Sequence, residues 1–217
     1  MGMSRILGLT LTFGLCVFLS PSLQAQSNVP QSFNFKVFLE DEEIGVQRFV
    51  VSSNATRTEV QIEAQFDVKY WFITAYSYRH TNTEVWNGEC LQMIRAQTND
   101  NGKTFFVNGT YADNRLNLVT HAGSRNIEGC VKTFAYWDPK FLSSRTLLNS
   151  QTGEMNQVKV SLLGEEVISV RSTPTSATHY QVVAEKFSID LWYSSEGEWL
   201  ALQSTTENDS RLRYDLQ

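Results

Sequence analysis

The sequence has little of what most known enzyme families need. Its only histidines are His80, His121 and His179, and their spacing does not suit a shared metal ion. It contains no G-x-S-x-G nucleophile elbow, no H-E-x-x-H zinc motif and no paired C-x-x-C ligands. These absences predict that the protein has no catalytic residue, no metal and no cofactor, and that it is not an enzyme.

Clusters of basic residues and long apolar runs are also missing from most of the chain. Acidic and basic residues are mixed along it, and the formal net charge is −5. This pattern argues against nucleic acid as a partner and against binding driven by anionic lipid headgroups. Beyond residue 25 no apolar stretch is long enough to span a bilayer. We therefore expect no transmembrane segment once the first residues are removed.

Residues 1–25 have the pattern of a secretory signal peptide. Arg5 precedes an apolar run at 6–19, which is too short to span a bilayer comfortably, and Pro21 and the small Ala25 follow. We predict cleavage after Ala25 and export of the remaining chain, with an uncleaved anchor as the alternative. The exported part, roughly 190 residues, is long enough for one well-cored domain.

The exported part retains two cysteines, Cys90 and Cys130. An oxidising compartment favours disulfides, and two cysteines allow a single intramolecular pairing. The bond would close a loop of about 40 residues and contribute on the order of 4 kcal/mol to stability. We predict this disulfide, and two buried thiols are the alternative.

Polar and apolar residues alternate with a period of two over much of the chain. In the segment EVQIEAQFDVKY, Val60, Ile62 and Phe66 fall on one face, and acidic and amide side chains fall on the other. This is typical of a strand with one buried face. Turn signals recur at EDEEIG, NDNGK, YADNR and SSEGE. The pattern predicts an all-β protein with one domain, 26–217, whose ordered core is about 32–217. Its antiparallel meander sheet is expected to curve into a half-barrel or barrel.

One segment, CVKTFAYWDPKFLSSRTLLNSQTGE, breaks the alternation. Asp138 can cap a helix, and Pro139 suits the first helical position. Phe141, Leu142 and Leu147 would form its apolar side. We predict one short helix in the 138–148 connection, lying across the mouth of the half-barrel.

The stretch YSYRHTNTEVW places a histidine and a carboxylate close together. Taken as a hairpin with TNT as its loop, it sets His80 opposite Glu84 and Tyr78 opposite Trp86, pairs that would fix the strand register. One alternative is contact with a polar ligand. Another is a general base, His80, oriented by Glu84.

The chain is rich in large aromatic rings, which suit either an ordinary β-sheet core or an apolar cavity with polar tips. We predict an aromatic-lined groove for an apolar ligand. The residues expected to line it are Tyr76, Tyr78, His80, Glu84, Trp86, Tyr136 and Trp137.

Five sequence segments are similar to those of a known protein family: EEIGVQRFVV, YRHTNTEVWNGECLQMIRAQTNDNGKTFFVNG, FAYWDPKFLSSRTLLNSQTGE, VSLLGEEV and LWYSSEGEWLALQS. Through them the chain resembles an exported bacterial family filed as domain of unknown function 6134. It is more distantly similar to domain of unknown function 3108, which has a comparable IG hairpin near its start. The resemblance implies a bacterial envelope protein with one all-β domain, and it implies no activity and no catalytic residue.

Together these features predict a protein exported to the periplasm of a Gram-negative envelope. The first hypothesis is a non-enzymatic module that binds or carries a lipid or other apolar ligand. The alternative is a structural or assembly protein that contacts another envelope protein. The third and least favoured is an enzyme acting on glycan or lipid.

Overall fold

The computed structural model describes residues 29–70, 73–205 and 210–217 of the chain. The expected signal peptide, 1–25, lies outside the described residues, so its cleavage stays a prediction. The first eight strands are β1 (Gln31–Leu39), β2 (Glu42–Ser53), β3 (Thr58–Tyr70), β4 (Ile73–Asn87), β5 (Cys90–Asp100), β6 (Lys103–Ala112), β7 (Arg115–Thr120) and β8 (Gly123–Glu128). The others are β9 (Thr146–Leu148), β10 (Met155–Gln157), β11 (Lys159–Val170), β12 (Thr173–Val183), β13 (Ser188–Tyr193), β14 (Trp199–Thr205) and β15 (Arg211–Leu216).

Thirteen of these strands form one antiparallel sheet in the order β11-β12-β13-β14-β15-β1-β2-β3-β4-β5-β6-β7-β8. The first strand therefore pairs with the last, and β8 and β11 are the two edges of a sheet that does not close. β9 and β10 form a separate two-stranded sheet. The predicted all-β antiparallel fold is confirmed. In the described part of the chain, no helix has the length and apolarity needed to cross a membrane.

Local sequence explains the long hairpins. In β3, the alternating Val60, Ile62 and Phe66 are buried, and the polar residues between them are exposed. The turn between β5 and β6 consists of Asn101 and Gly102, both with positive φ angles (48° and 88°). Asparagine and glycine tolerate this conformation, which suits a two-residue turn between twisted strands. The predicted strand and the predicted turn are both confirmed.

The sheet curves strongly, so that residues on distant strands meet on one side of it. β2 and β14 are separated by β1 and β15, which in a flat sheet places them about 14 Å apart. The ring centroids of Phe49 on β2 and Trp199 on β14 are nevertheless only 5.1 Å apart. Phe66 on β3 and Tyr214 on β15 are likewise 6.1 Å apart. We call the concave side that carries these four aromatic residues the inner face.

The connecting segment, 129–158, joins the two edge strands and packs against the inner face. Tyr136 lies 5.3 Å from Trp199 between ring centroids, and Phe141 is buried. Instead of one helix over 138–148, the structure has a 3-10 helix at Pro139–Ser143 followed by β9. Asp138 caps the helix as predicted, with its carboxylate accepting from the Lys140 N–H at 3.0 Å.

The observed helix is shorter than the predicted one because the backbone becomes extended at Ser144, where ψ is 150°. The next residues include the β-branched Thr146, which favours a strand, and they pair with β10. Leu147, expected on the apolar side of the helix, is therefore a fully buried residue of β9.

Cys90 and Cys130 confirm their predicted pairing, with the two sulfur atoms 2.02 Å apart. The bond ties the beginning of β5 to the beginning of the connecting segment. Next to it the Leu91 N–H donates to the Val131 carbonyl at 2.9 Å, and Lys132 forms an ion pair with Glu89. The disulfide thus holds the connecting segment against the sheet.

Candidate functional site

Strand β4 runs without interruption through the stretch that was predicted to be a hairpin. His80 pairs with Ala64 on one side and Thr98 on the other, and Glu84 pairs with Val60 and Ile94. The prediction that TNT is a loop, with His80 opposite Glu84 and Tyr78 opposite Trp86, is therefore wrong. Two threonines favour extended backbone, and the stretch has no glycine to make a tight turn.

His80 and Glu84 instead lie on the same face of one strand. Four residues of extended chain separate them by about 13 Å, so Glu84 does not orient the imidazole. The general-base hypothesis thereby loses the carboxylate on which it depended.

The predicted ligand residues of β4 all belong to the inner face. Tyr78, His80, Glu84 and Trp86 are buried, and Tyr76 is partly exposed. The structure brings Tyr136 and Trp137, on the connecting segment, to the same face. The seven residues nevertheless divide into two groups with different surroundings, one around Glu84 and one around His80.

The Glu84 group is closed and fully packed. The carboxylate, in a residue only 1% exposed, accepts from Asn82 Nδ2 at 2.8 Å, Trp86 Nε1 at 3.1 Å and Thr133 Oγ1 at 3.2 Å. Burial raises the pKa of Glu84 to about 7, against the lowering effect of these hydrogen bonds. Trp137 packs edge-on against Trp86, 5.9 Å away, beside a cavity of only about 10 Å³. Such a space holds about one water molecule, so no ligand of useful size fits there.

The second group consists of Tyr78 with His80 beside it, and Tyr76, Tyr136 and Tyr214 lie close enough to Tyr78 to affect its pKa. Tyr78 stacks on Phe66 at 5.1 Å and lies 6.3 Å from the His80 ring. Burial raises the pKa of Tyr78, Tyr136 and Tyr214 above the ordinary value for tyrosine. Their hydroxyls are therefore neutral at physiological pH, and each retains its proton as a hydrogen-bond donor. Tyr214, from the far side of the sheet, was not among the predicted site residues.

His80 is also among the residues that border an open cleft. Its Nδ1 lies 2.9 Å from Thr98 Oγ1, and the Thr98 hydroxyl donates to the Gln151 carbonyl at 3.4 Å. Burial lowers the pKa of His80 to about 4, so the imidazole is neutral at pH 7. Among the described residues, none forms a hydrogen bond with Nε2 of His80.

The cleft has a volume of about 670 Å³ and is formed by β4, β5 and β6. This volume is in the range of small-molecule sites. Residues of both sheet faces border it: His80, Thr98 and Phe105 belong to the inner face, and most of the others, including Arg79, Gln97 and Phe106, belong to the opposite face. Apart from His80, these residues were not predicted. Their proximity depends on the register of three strands, which no local pattern encodes.

The charge of Arg79 is already balanced within the protein. Its Nη2 donates to both carboxylate oxygens of Asp67, at 3.0 and 2.8 Å, and its Nη1 donates to the carbonyls of Phe66 and Tyr78. The hydrogen bond from Arg79 holds the pKa of Asp67 below its ordinary value. Arg79 therefore brings no free positive charge to the cleft.

A second histidine cluster lies away from the cleft, on β11, β12 and β13. His179 Nδ1 is 3.1 Å from Glu166 Oε1, its Nε2 is 2.9 Å from Asp190 Oδ1, and Trp192 stacks on the ring at 4.4 Å. Each ring nitrogen faces a carboxylate, which leaves neither nitrogen free to bind a metal. Across 29–70, 73–205 and 210–217, no group of three or more histidine, cysteine or acidic residues is placed to hold a metal ion.

The buried groups of β4 are expected to give opposing pH dependences of stability. The pKa of Glu84 is about 7 in the folded protein against an ordinary 4.5, so its contribution is present below pH 4.5 and is lost as the pH rises through 7. The pKa of His80 is about 4 against 6.5, so its contribution is present above pH 6.5 and is lost as the pH falls through 4. Each difference between the pKa in the folded protein and the ordinary pKa corresponds to ~3 kcal/mol in the free energy of unfolding.

The two contributions offset each other where these pH ranges overlap, and single variants should reveal them. With Glu84→Gln, the free energy of unfolding should rise with pH between 4.5 and 6.5, whereas with His80→Phe it should fall. Urea denaturation at a series of pH values measures both slopes. Parallel profiles for the two variants would contradict the assignment.

Comparison with known proteins gives a solved structure of similar fold and a matching family. No curated protein matches the sequence. A crystal structure of a β-barrel-like protein of domain of unknown function DUF1849 from Brucella abortus is similar in fold, with a TM-score of 0.66 at 8% sequence identity. The match covers 87% of this chain and 96% of that one, and at this identity it shows the fold alone. The distant similarity to domain of unknown function 3108 stays a prediction.

The family itself is shown by sequence. The model of the family described as Domain of unknown function (DUF6134) matches residues 35–217. This is the family that the five sequence segments predicted. In chain order, the match extends from within β1 to beyond the end of β15. The chain belongs to the DUF6134 family.

Proposed function

We propose that this protein is exported to the periplasm and acts as a non-enzymatic module that binds an apolar ligand with a polar end. The observation that carries the proposal is the cleft of about 670 Å³, which combines the exposed ring of Phe106 with neutral polar side chains. The neutral side chains of Thr81, Gln97 and Asn108 offer polar contacts on the same face of the sheet as Phe106.

The apolar part of the ligand would lie against Phe106, because Phe105 faces the other side of the sheet. Phe106 is 38% exposed, and ligand contact would remove this surface from water. Of the seven residues predicted to line an aromatic groove, only His80 borders this cleft. The closed group of Glu84, Trp86 and Trp137 instead holds the connecting segment in place.

Two features support export. Residues 1–25 have the signal-peptide pattern, and the Cys90–Cys130 pair is at disulfide distance. Disulfides persist in oxidising compartments such as the periplasm and are rare in the cytosol.

The test is mass spectrometry of the mature protein purified from its native envelope without detergent. The native spectrum should contain a stoichiometric small adduct that disappears on denaturation. The denatured mass should lack two hydrogens, because the cysteines are bridged, and it should show cleavage after Ala25. A native mass without any adduct would contradict the carrier role.

Matched variants locate the adduct on the protein. Phe106→Ala should reduce its occupancy about tenfold, since a buried phenylalanine contributes 1.5–3 kcal/mol, of which a part is lost. Val119→Ala, at an exposed apolar residue of β7 that does not border the cleft, should leave the occupancy unchanged. Equal losses in both variants would place the ligand elsewhere.

One observation favours a second candidate function, assembly with another envelope protein. Edge strand β11 exposes Leu162 (64%), Leu163 (53%) and Val167 (69%), and an edge strand with exposed apolar residues is a surface for pairing. The tryptophans flanking the SSEGE turn are poorer candidates, because Trp199 is fully buried. A stoichiometric protein partner in the native spectrum, in place of a small adduct, would favour this function.

A further inference from the structure

We propose that the polar end of the ligand is an uncharged group with several hydroxyls, such as a sugar ring, held by the side-chain amides of Gln97 and Asn108. This inference rests on the proposed function and names the ligand class of the same cleft. It follows from the side chains beside Phe106 on the opposite face of the sheet and from the charges around them.

Three neutral polar side chains lie near Phe106 on the opposite face. Gln97 on β5 is the direct cross-strand neighbour of Phe106, and Thr81 on β4 is the neighbour of Gln97. Asn108 lies two residues beyond Phe106 on β6. Because residues alternate between the faces of a strand and directly paired residues share a face, all four side chains project on the same side. All four are exposed, so the ring of Phe106 is bordered by accessible hydrogen-bonding groups.

These polar groups are available to a ligand. In the part of the chain that the structure describes, the side chains of Thr81, Gln97 and Asn108 have no hydrogen-bond partner. Asn99 on the same face differs from them, because its Oδ1 accepts from the Gly102 N–H at 2.8 Å and so belongs to the turn between β5 and β6. The donors and acceptors of the other three side chains can therefore all be directed to a bound molecule.

The chemistry of the amides selects hydroxyl groups. A side-chain amide donates through its nitrogen and accepts through its oxygen, and a hydroxyl also does both, whereas an ionised carboxylate only accepts and an ammonium group only donates. Strands β4 and β6 lie about 10 Å apart, so the three polar side chains are spread too widely for one hydroxyl to contact them all. A ring that carries several hydroxyls can contact each of them and use both roles of each amide.

The charges near the cleft do not select a charged group. Arg79 is the only residue with a formal charge among those that border the cleft, and its ion pair and hydrogen bonds are made within the protein. Just beyond the cleft, Arg95 lies opposite Asn108 and Glu63 lies opposite Thr81, so the neighbouring charges have both signs. A charged polar end would be attracted by one of these side chains and repelled by the other.

The test compares four probes with the same apolar tail: octyl glucoside, 1-octanol, octyl sulfate and octyltrimethylammonium. Each is titrated into the mature protein at pH 7, below the concentration at which it forms micelles, and binding is measured by calorimetry. Octyl glucoside should bind at least tenfold more tightly than either ionic probe, because the ionic groups do not match both roles of the amides. It should bind about fivefold more tightly than 1-octanol, which has a single hydroxyl.

Matched variants locate the polar end. Gln97→Leu removes the amide but keeps a side chain of similar size, and it should weaken octyl glucoside binding about fivefold. Gln61 is the same residue type, exposed on the same face of β3 but not bordering the cleft, so Gln61→Leu should leave the affinity unchanged. A loss of affinity with Phe106→Ala but none with Gln97→Leu would overturn this inference and leave the proposed function standing.

A second readout does not depend on any variant. In a ¹H–¹⁵N correlation spectrum of the unmodified protein, octyl glucoside should shift the side-chain NH₂ signals of Gln97 and Asn108 and leave that of Gln61 in place. Unshifted signals of Gln97 and Asn108, or an ionic probe that binds as tightly as octyl glucoside, would overturn this inference alone. Failure of all four probes to bind would overturn the proposed function as well.

Discussion

Replacing Glu84 by alanine is expected to lower the free energy of unfolding by about 4 kcal/mol at pH 7. The carboxylate is the acceptor for Asn82 Nδ2, Trp86 Nε1 and Thr133 Oγ1, all on buried residues. Its removal leaves three buried donors without a partner, and each costs about 1–3 kcal/mol. Urea denaturation measures the loss from the change in midpoint at a constant slope.

Glu84→Gln is the matched control, and it should remain within about 1 kcal/mol of the unmodified protein. The amide oxygen still accepts from Trp86 and Thr133. The amide N–H₂ can donate to Asn82 Oδ1, which is buried and has no hydrogen-bond partner, once the Asn82 side-chain amide turns over. A loss of equal size in both variants would mean that the negative charge, and not the set of acceptors, holds this part of the core together.

Trp199→Ala is expected to lower the free energy of unfolding by about 3–5 kcal/mol, the usual range for removing a buried tryptophan. Trp199 is 0% exposed and lies 4.1 Å from Phe35, 5.1 Å from Phe49 and 5.3 Å from Tyr136 between ring centroids. It therefore joins β14 to β1, β2 and the connecting segment. Its indole N–H also donates to the Ala201 carbonyl at 3.0 Å, a bond that the variant loses.

The chain provides its own control for this substitution. Trp192 is the same residue type on the neighbouring strand β13, but it is partly exposed, stacks on His179 and packs against the core without being one of its buried residues. Trp192→Ala should cost no more than about 1.5 kcal/mol. Urea denaturation midpoints of the two variants measure both losses in the free energy of unfolding. Similar losses would show that the inner face does not contribute more to stability than the site of Trp192.

Sequence reasoning succeeded where the deciding interactions are local. The alternation in β3 and the Asn101-Gly102 turn involve neighbouring residues, and both were predicted correctly. The Cys90–Cys130 bond was predictable for a different reason, because residues 26–217 contain no other cysteine to pair. The family was recognised because the five similar sequence segments are long and occur along the chain in the same order as in the family.

The predictions failed where tertiary context decides the outcome. TNT can form a loop or continue a strand, and pairing with β3 and β5 on both sides selects the strand. Ser144 can continue a helix, but extension of the chain there buries Leu147 and forms β9. The cleft was not predicted because its lining depends on Thr81, Gln97 and Phe106 being aligned across three strands.

The pairing of β1 with β15 has a consequence for how the protein reaches this structure. These strands lie near the middle of the sheet although they are the most distant along the described chain, with Phe35 opposite Leu216. The meander β1–β8 can form from successive hairpins, but its junction with β11–β15 requires almost the whole polypeptide to be present. Such a high contact order implies refolding in milliseconds to seconds, not microseconds. Until β15 arrives, the free edge of β1 has its backbone groups unpaired and open to association with another chain.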